Sequence, residues 1–121
     1  NDVRVNELAP RVHNSGHLTI EGASISQFEM HVRAICGLPL LSPVPRAPGV
    51  AMVNLLGGED RKHARLHGCD VAMREHGVHV HLYGKDRERP RRKMGHVTAT
   101  GTTAADARER ALRAAGALSF G

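Results

Sequence analysis

Between Asn6 and His17 the chain reads Asn-Glu-Leu-Ala-Pro-Arg-Val-His-Asn-Ser-Gly-His, its densest run of side chains able to do chemistry. A carboxylate such as Glu7, set on a rigid strand, can hold a hard cation like Mg²⁺, which takes oxygen ligands and brings phosphate with it. The guanidinium of Arg11, four residues on, can clamp a planar oxyanion through two parallel hydrogen bonds. His13 and Asn14 can orient a second polar group. The same residues would equally make a solvated strand end followed by a capping loop, and spacing alone does not choose between the two.

Two other clusters compete for attention. His79 and His81 form an H-x-H pair, with His76 and His96 nearby in sequence. Such a pair can bind zinc, but a full site needs further ligands that the sequence does not place, so these read as strand-face histidines. Lys85 to Lys93 is a basic stretch, Lys-Asp-Arg-Glu-Arg-Pro-Arg-Arg-Lys. It could be a nucleic-acid patch, but a charge run is more often a solvated loop. The aromatics are Phe28, Tyr83 and Phe120, never adjacent, which leaves little to stack bases on.

These residues need elements to position them. Val3 to Leu8 alternates apolar and polar, predicting a strand with Glu7 on its polar face, stopped at Pro10. Ser24 or Ser26 can cap a helix whose Ile25, Phe28, Val32 and Ile35 form one apolar stripe. Gly37 and Pro39 end it. Leu40 to Gly49, with Pro43, Pro45 and Pro48, is the best boundary in the chain. Val50 to Leu56 is a nearly continuous apolar strand of the kind buried on both faces. Glu59 to Arg74 has moderate helical character, interrupted at Gly68. Val78, Val80 and Leu82 alternate with His79, His81 and Tyr83 in a third strand, and Gly95 to Thr100 makes a fourth. Thr102 or Thr103 opens a last helix, through about Ala117, with an Ala-rich face (Ala104, Ala107, Ala111, Leu112, Ala115). The segments Val50–Leu56, Val78–Tyr83 and Gly95–Thr100 are expected to pair in one sheet.

The 121 residues are about one domain in size, and 40% hydrophobic with 24% charged residues argues against a disordered chain. Seventeen Lys plus Arg against twelve Asp plus Glu give +5, which favours an anionic partner, a phosphate ligand as readily as a nucleic acid. No apolar run is long enough to cross a bilayer, and the charged start is not a secretory signal. Cys36 and Cys69 fit no zinc or redox spacing, so free thiols in a reducing cytoplasm are expected, with neither membrane nor nucleic-acid partner.

The run from Asn6 to His17, followed by Ser-Gln-Phe-Glu-x-His-x-Arg-Ala at residues 26–34, resembles the N5-carboxyaminoimidazole ribonucleotide synthase family, ATP-grasp ligases of purine biosynthesis. Met52 to Gly57, His79 to Lys85 and Arg89 to His96 fit the same family in the same order, so the resemblance covers nearly the whole chain. It is a resemblance to that family's C-terminal third. It implies an α/β chain, with residues 1–40 ending an ATP-grasp lobe, 41–49 a linker, and 50–121 a small, mainly β, barrel-like domain with a terminal helix. A strand opening the chain without a start suggests a fragment, inactive alone.

The resemblance also implies roles. Glu7 matches a carboxylate that holds Mg²⁺ on the phosphates of ATP, with Asn6 beside it as a second candidate. Arg11, His13 and Asn14 match the pocket that handles bicarbonate, carboxyphosphate and the carboxylated product. Lys85 and Arg92 match a basic pair gripping the phosphate of 5-aminoimidazole ribonucleotide. The parent would be a homodimer. One departure stands out: Arg91 replaces the glycine usual in Arg-Pro-Gly-Arg-Lys, and would be strained wherever that glycine has positive φ. The alternatives are a sister ATP-grasp carboxylase or formyl-transferring synthetase, or a non-catalytic phosphate-binding module.

Overall fold

The computed structural model describes Asp2 and residues 4–121. Its centre is a three-stranded antiparallel sheet of β1 (Gly49–Leu56), β6 (Lys93–Gly101) and β4 (Val78–Leu82), in the order β1-β6-β4. The three expected strands do pair. Two small ribbons flank the sheet, β2 (Arg61–Lys62) with β5 (Arg87–Glu88) and β3 (Leu66–His67) with β7 (Ser119–Phe120).

Period-two alternation gives the sheet two different faces. On one, Val53 and Val80 flank Val97, and Ala51 and Val78 flank Ala99. Helix α4 (Ala104–Gly116) packs there, burying Ala107, Ala111 and Ala114, the last two in one cluster with Val97 and Ala99. Small side chains let the helix lie close, and this is the aliphatic core of a chain nearly without aromatics. Thr103 caps α4 by accepting from Asp106 N at 3.1 Å. On the other face lie His81, His96 and Thr98. A 3₁₀ turn (Asn14–His17) and helix α1 (Leu18–Gly22) cover this side.

Helix α2 (Gln27–Ile35) starts at Ser26, whose hydroxyl accepts from Glu29 N at 3.1 Å, and stops at Gly37, φ +64°. Its expected stripe is buried at one end only. Ile25 is 5% exposed, while Val32 and Ile35 are 51% and 70% exposed. After α2 the chain returns along α1, with Arg46 N donating to Gly22 O and Ser24 N to Val44 O.

Three expectations are corrected. Residues 4–9 form no strand; Val3 lies outside the described residues. Alternation alone does not make a strand, and no described segment offers this one a ladder to join. The double-sided burial expected of Val50–Leu56 belongs instead to β6, in which residues 94–99 are all buried, because β6 takes the middle place and β1 an outer one. Glu59 to Arg74 is not helical until α3 (Cys69–Ala72); before it come β2 and β3, whose partners lie far along the chain.

Candidate active site

Asn14 is where the two halves of the sequence meet. His13 accepts from Ser15 N through Nδ1 and so starts the 3₁₀ turn that sets Asn14 facing β4. Asn14 Nδ2 donates to Tyr83 Oη at 3.0 Å, and Lys93 Nζ donates to Asn14 Oδ1 at 3.1 Å. Lys85 Nζ donates to the Lys93 carbonyl and lies 5.3 Å from the centre of the Tyr83 ring, a cation–π distance. A carboxamide, two ammonium groups and a phenol thus converge at one end of the sheet.

Behind them stands a column of rings. His96 is stacked between His17 and His81, with centroids 4.5 Å away on each side, and His17 stacks on Phe28 at 5.2 Å. Tyr83 Oη lies 2.9 Å from Nδ1 of both His17 and His96, and His81 Nε2 lies 2.7 Å from Glu21 Oε1. Burial, reinforced by His81 and His17, pushes His96 down to about 4. Burial also lowers His17, helped by His81 and Lys93. Desolvation raises the Tyr83 hydroxyl, keeping it protonated. These shifts favour the neutral forms of His96, His17 and Tyr83, which are hydrogen-bonded to one another.

His96 carries a pH prediction. Its folded pKa lies below the unfolded value, so the unfolded chain binds the extra proton first and stability falls as pH drops from about 6.5 through 4. Between pH 7 and 4.5 this group alone should remove on the order of 2 kcal/mol. Urea unfolding at the two pH values, compared with His96→Gln, checks it: the variant should lose distinctly less on acidification.

The basic loop is tightly built. Glu88 is buried and accepts from Gly58 N at 2.6 Å, while Arg87 forms a two-pronged pair with Asp60 at 2.6 and 2.7 Å. Arg91 stands at φ +62°, the left-handed region that a glycine there would occupy without strain. Arg92 is half-buried, and its Nη1 donates to the Arg87 carbonyl at 2.8 Å.

Of the sequence candidates, the structure joins Asn14 and Lys85 through Lys93 and Tyr83, and places Arg92 next to Lys93 in the chain. Glu7, Asn6 and Arg11 are exposed; the Arg11 guanidinium bonds to its neighbour's carbonyl, Val12 O, at 3.3 Å. Lys93, Tyr83, His17 and His96 were not among the candidates. The signal for Tyr83 was its place in the alternation beside His81, on a face that proves to be covered.

The family model for the phosphoribosylaminoimidazole carboxylase C-terminal domain matches residues 50–110, half of the chain. The chain belongs to that family. The ATP-grasp domain model matches residues 1–28 of the same phosphoribosylaminoimidazole carboxylase family member. N5-carboxyaminoimidazole ribonucleotide synthase of Vibrio vulnificus strain YJ016 is 45% identical over 114 residues, covering 94% of this chain and 28% of that protein. The crystal structure of N5-carboxyaminoimidazole ribonucleotide synthetase from Thermotoga maritima superposes with a TM-score of 0.81 at 46% identity, covering 93% of this chain and 31% of that one. The Aspergillus clavatus N5-carboxyaminoimidazole synthase, solved with ADP and 5-aminoimidazole ribonucleotide, gives 0.72 at 38% identity, covering 86% and 28%. The chain thus spans less than a third of the length of these relatives.

Proposed function

We propose that this chain is the C-terminal part of an ATP-dependent ligase that carboxylates 5-aminoimidazole ribonucleotide in de novo purine biosynthesis. The observation that carries this reading is the meeting of the Asn14 turn with the Lys85–Lys93 loop. It supports the reading by bringing Asn14, from the run that resembles a carboxyl-handling pocket, and Lys85, from the pair that resembles a phosphate grip, to the shared neighbour Lys93.

Bicarbonate is a poor electrophile. Attack of its oxygen on the γ-phosphorus of ATP releases ADP and gives carboxyphosphate. The exocyclic amine of the ribonucleotide then bonds to the carboxyl carbon, phosphate leaves, and the amine gives up a proton. Charge gathers on the phosphoryl oxygens in the first step, so fixed cations are the useful tools. Arg11, His13 and Asn14 would hold the carboxyl group between steps, and Lys85 with Arg92 would hold the ribonucleotide phosphate. The donor set of Glu7 and Asn6, a carboxylate and an amide oxygen, suits Mg²⁺, which when bound would neutralise charge on the ATP phosphates.

A cytoplasmic homodimer belongs to the same proposal. The exposed apolar side chains of Val32, Ile35, Leu38 and Leu40 are available for burial against a further lobe or copy. The test is ADP release by the full-length enzyme with bicarbonate, with and without the aminoimidazole ribonucleotide. Release should rise severalfold or more when the nucleotide is added, and the 121 residues alone should show no turnover. Equal rates with and without the nucleotide would overturn the substrate assignment.

A further inference from the structure

We propose that Tyr83 is a positioning residue for the carboxylation step: it fixes which way the Asn14 amide points, and it never touches the substrate. This rests on the role given to Asn14 above.

A carboxamide has two ends of nearly equal shape, and only its partners decide which end goes where. At Asn14 both ends are specified. Lys93 Nζ can only donate, so the end it meets at 3.1 Å is the oxygen. The nitrogen then meets Tyr83 Oη at 3.0 Å. The hydroxyl itself has no freedom to turn away. A bare His17 Nδ1 accepts its proton at 2.9 Å and also accepts from Asn14 Nδ2 at 3.1 Å, while a proton on His96 Nδ1 donates back to the phenol oxygen at 2.9 Å. This assignment gives the phenol oxygen one donated and two accepted bonds, its full complement.

The support behind the hydroxyl is rigid. His96 is 1% exposed and held between two rings, and Tyr83 N donates to Met94 O at 3.0 Å, extending the pairing of β4 with β6. Tyr83 therefore transmits the position of the central strand to a side chain contributed from 69 residues away. A group that must hold a short-lived carboxyl intermediate needs such support, because small errors in placement cost rate steeply.

The experiment is a double-mutant cycle in the full-length enzyme, reading kcat, KM for ATP, and phosphate released per ribonucleotide carboxylated. Tyr83→Phe keeps the ring and removes only the hydroxyl. It should lower carboxylation kcat about 3- to 10-fold, the worth of one neutral hydrogen bond, and leave KM for ATP unchanged. It should also raise the phosphate released per product, because a misdirected amide lets the intermediate hydrolyse. In an Asn14→Ala background the same change should have no further effect. Independent, multiplying effects of Tyr83→Phe and Asn14→Ala would overturn the inference. So would a normal Tyr83→Phe enzyme alongside a damaged Asn14→Ala enzyme. If Asn14→Ala is itself without effect, the role given to Asn14 fails first and takes the inference with it.

Discussion

Arg92→Ala in the full-length enzyme should raise KM for the aminoimidazole ribonucleotide by about 10- to 150-fold and leave KM for ATP nearly unchanged. The magnitude is that of one charge-assisted hydrogen bond, about 1.5–3 kcal/mol. Arg92 is held half-buried with its fork turned to the Arg87 carbonyl, and Lys85 likewise donates to a backbone carbonyl, that of Lys93 at the start of β6. Both cations are thus anchored on one short loop, and a phosphate dianion can replace neutral carbonyl oxygens as the stronger acceptor. A point-charge Lys beside a planar guanidinium is an effective pair for such an anion. Glu7→Gln should do the opposite, damaging ATP use and kcat while sparing ribonucleotide KM. Steady-state kinetics on the two variants decides; an Arg92→Ala enzyme with wild-type ribonucleotide KM would falsify the phosphate grip and return the loop to a solvated surface.

Gly68→Ala should be the most damaging small substitution in the fold, costing about 3 kcal/mol and lowering the thermal midpoint by about 10 °C. Two costs combine there. Gly68 sits at φ +86°, where a Cβ is strained, and that Cβ would lie 1.9 Å from the Ala117 carbonyl oxygen at the end of α4. Backbone, not a flexible side-chain end, would have to yield. Gly37 separates the costs, since at φ +64° an added Cβ meets nothing within 4 Å. Gly37→Ala should therefore lose only the conformational part, about 1 kcal/mol. Equal melting losses for the two variants would show that the α3–α4 junction is looser than its geometry implies.

Local chemistry made much of this fold readable. Ser24 or Ser26, and Thr102 or Thr103, announce their helices, with Ser26 and Thr103 the caps in the structure, and the alternation from Val78 to Tyr83 assigns the sheet faces correctly. What escaped the sequence depends on distant partners. Arg61–Lys62 is strand because Arg87–Glu88 pairs with it, and nothing near Arg61 says so. Val50 to Leu56 has the composition of a central strand, but the order of strands in space is set by α4 and by the pairing of β6 with both neighbours. The site divides the same way. Asn14 and Lys85 stand out in their own motifs, whereas Lys93 and Tyr83 gain meaning only when a turn 79 and 69 residues away folds onto them. The sequence motif singled out Arg91 as a departure, and its φ of +62° gives that departure a backbone consequence.

The order of the central sheet also bears on how the chain is made. β1 leaves the ribosome well before β6, yet β6 is the strand it hydrogen-bonds, with Gly49 opposite Gly101. For the time needed to synthesise the intervening segment, at roughly 5–20 residues per second, an apolar stretch reading Val-Ala-Met-Val-Asn-Leu-Leu has an unpaired edge. Such stretches are templates for pairing between nascent chains. Pro43, Pro45 and Pro48 precede it and Gly57-Gly58 follows, residues that resist extension of a β ladder in either direction. The prolines before this strand and the glycine pair after it thus limit any such ladder to the strand's own length.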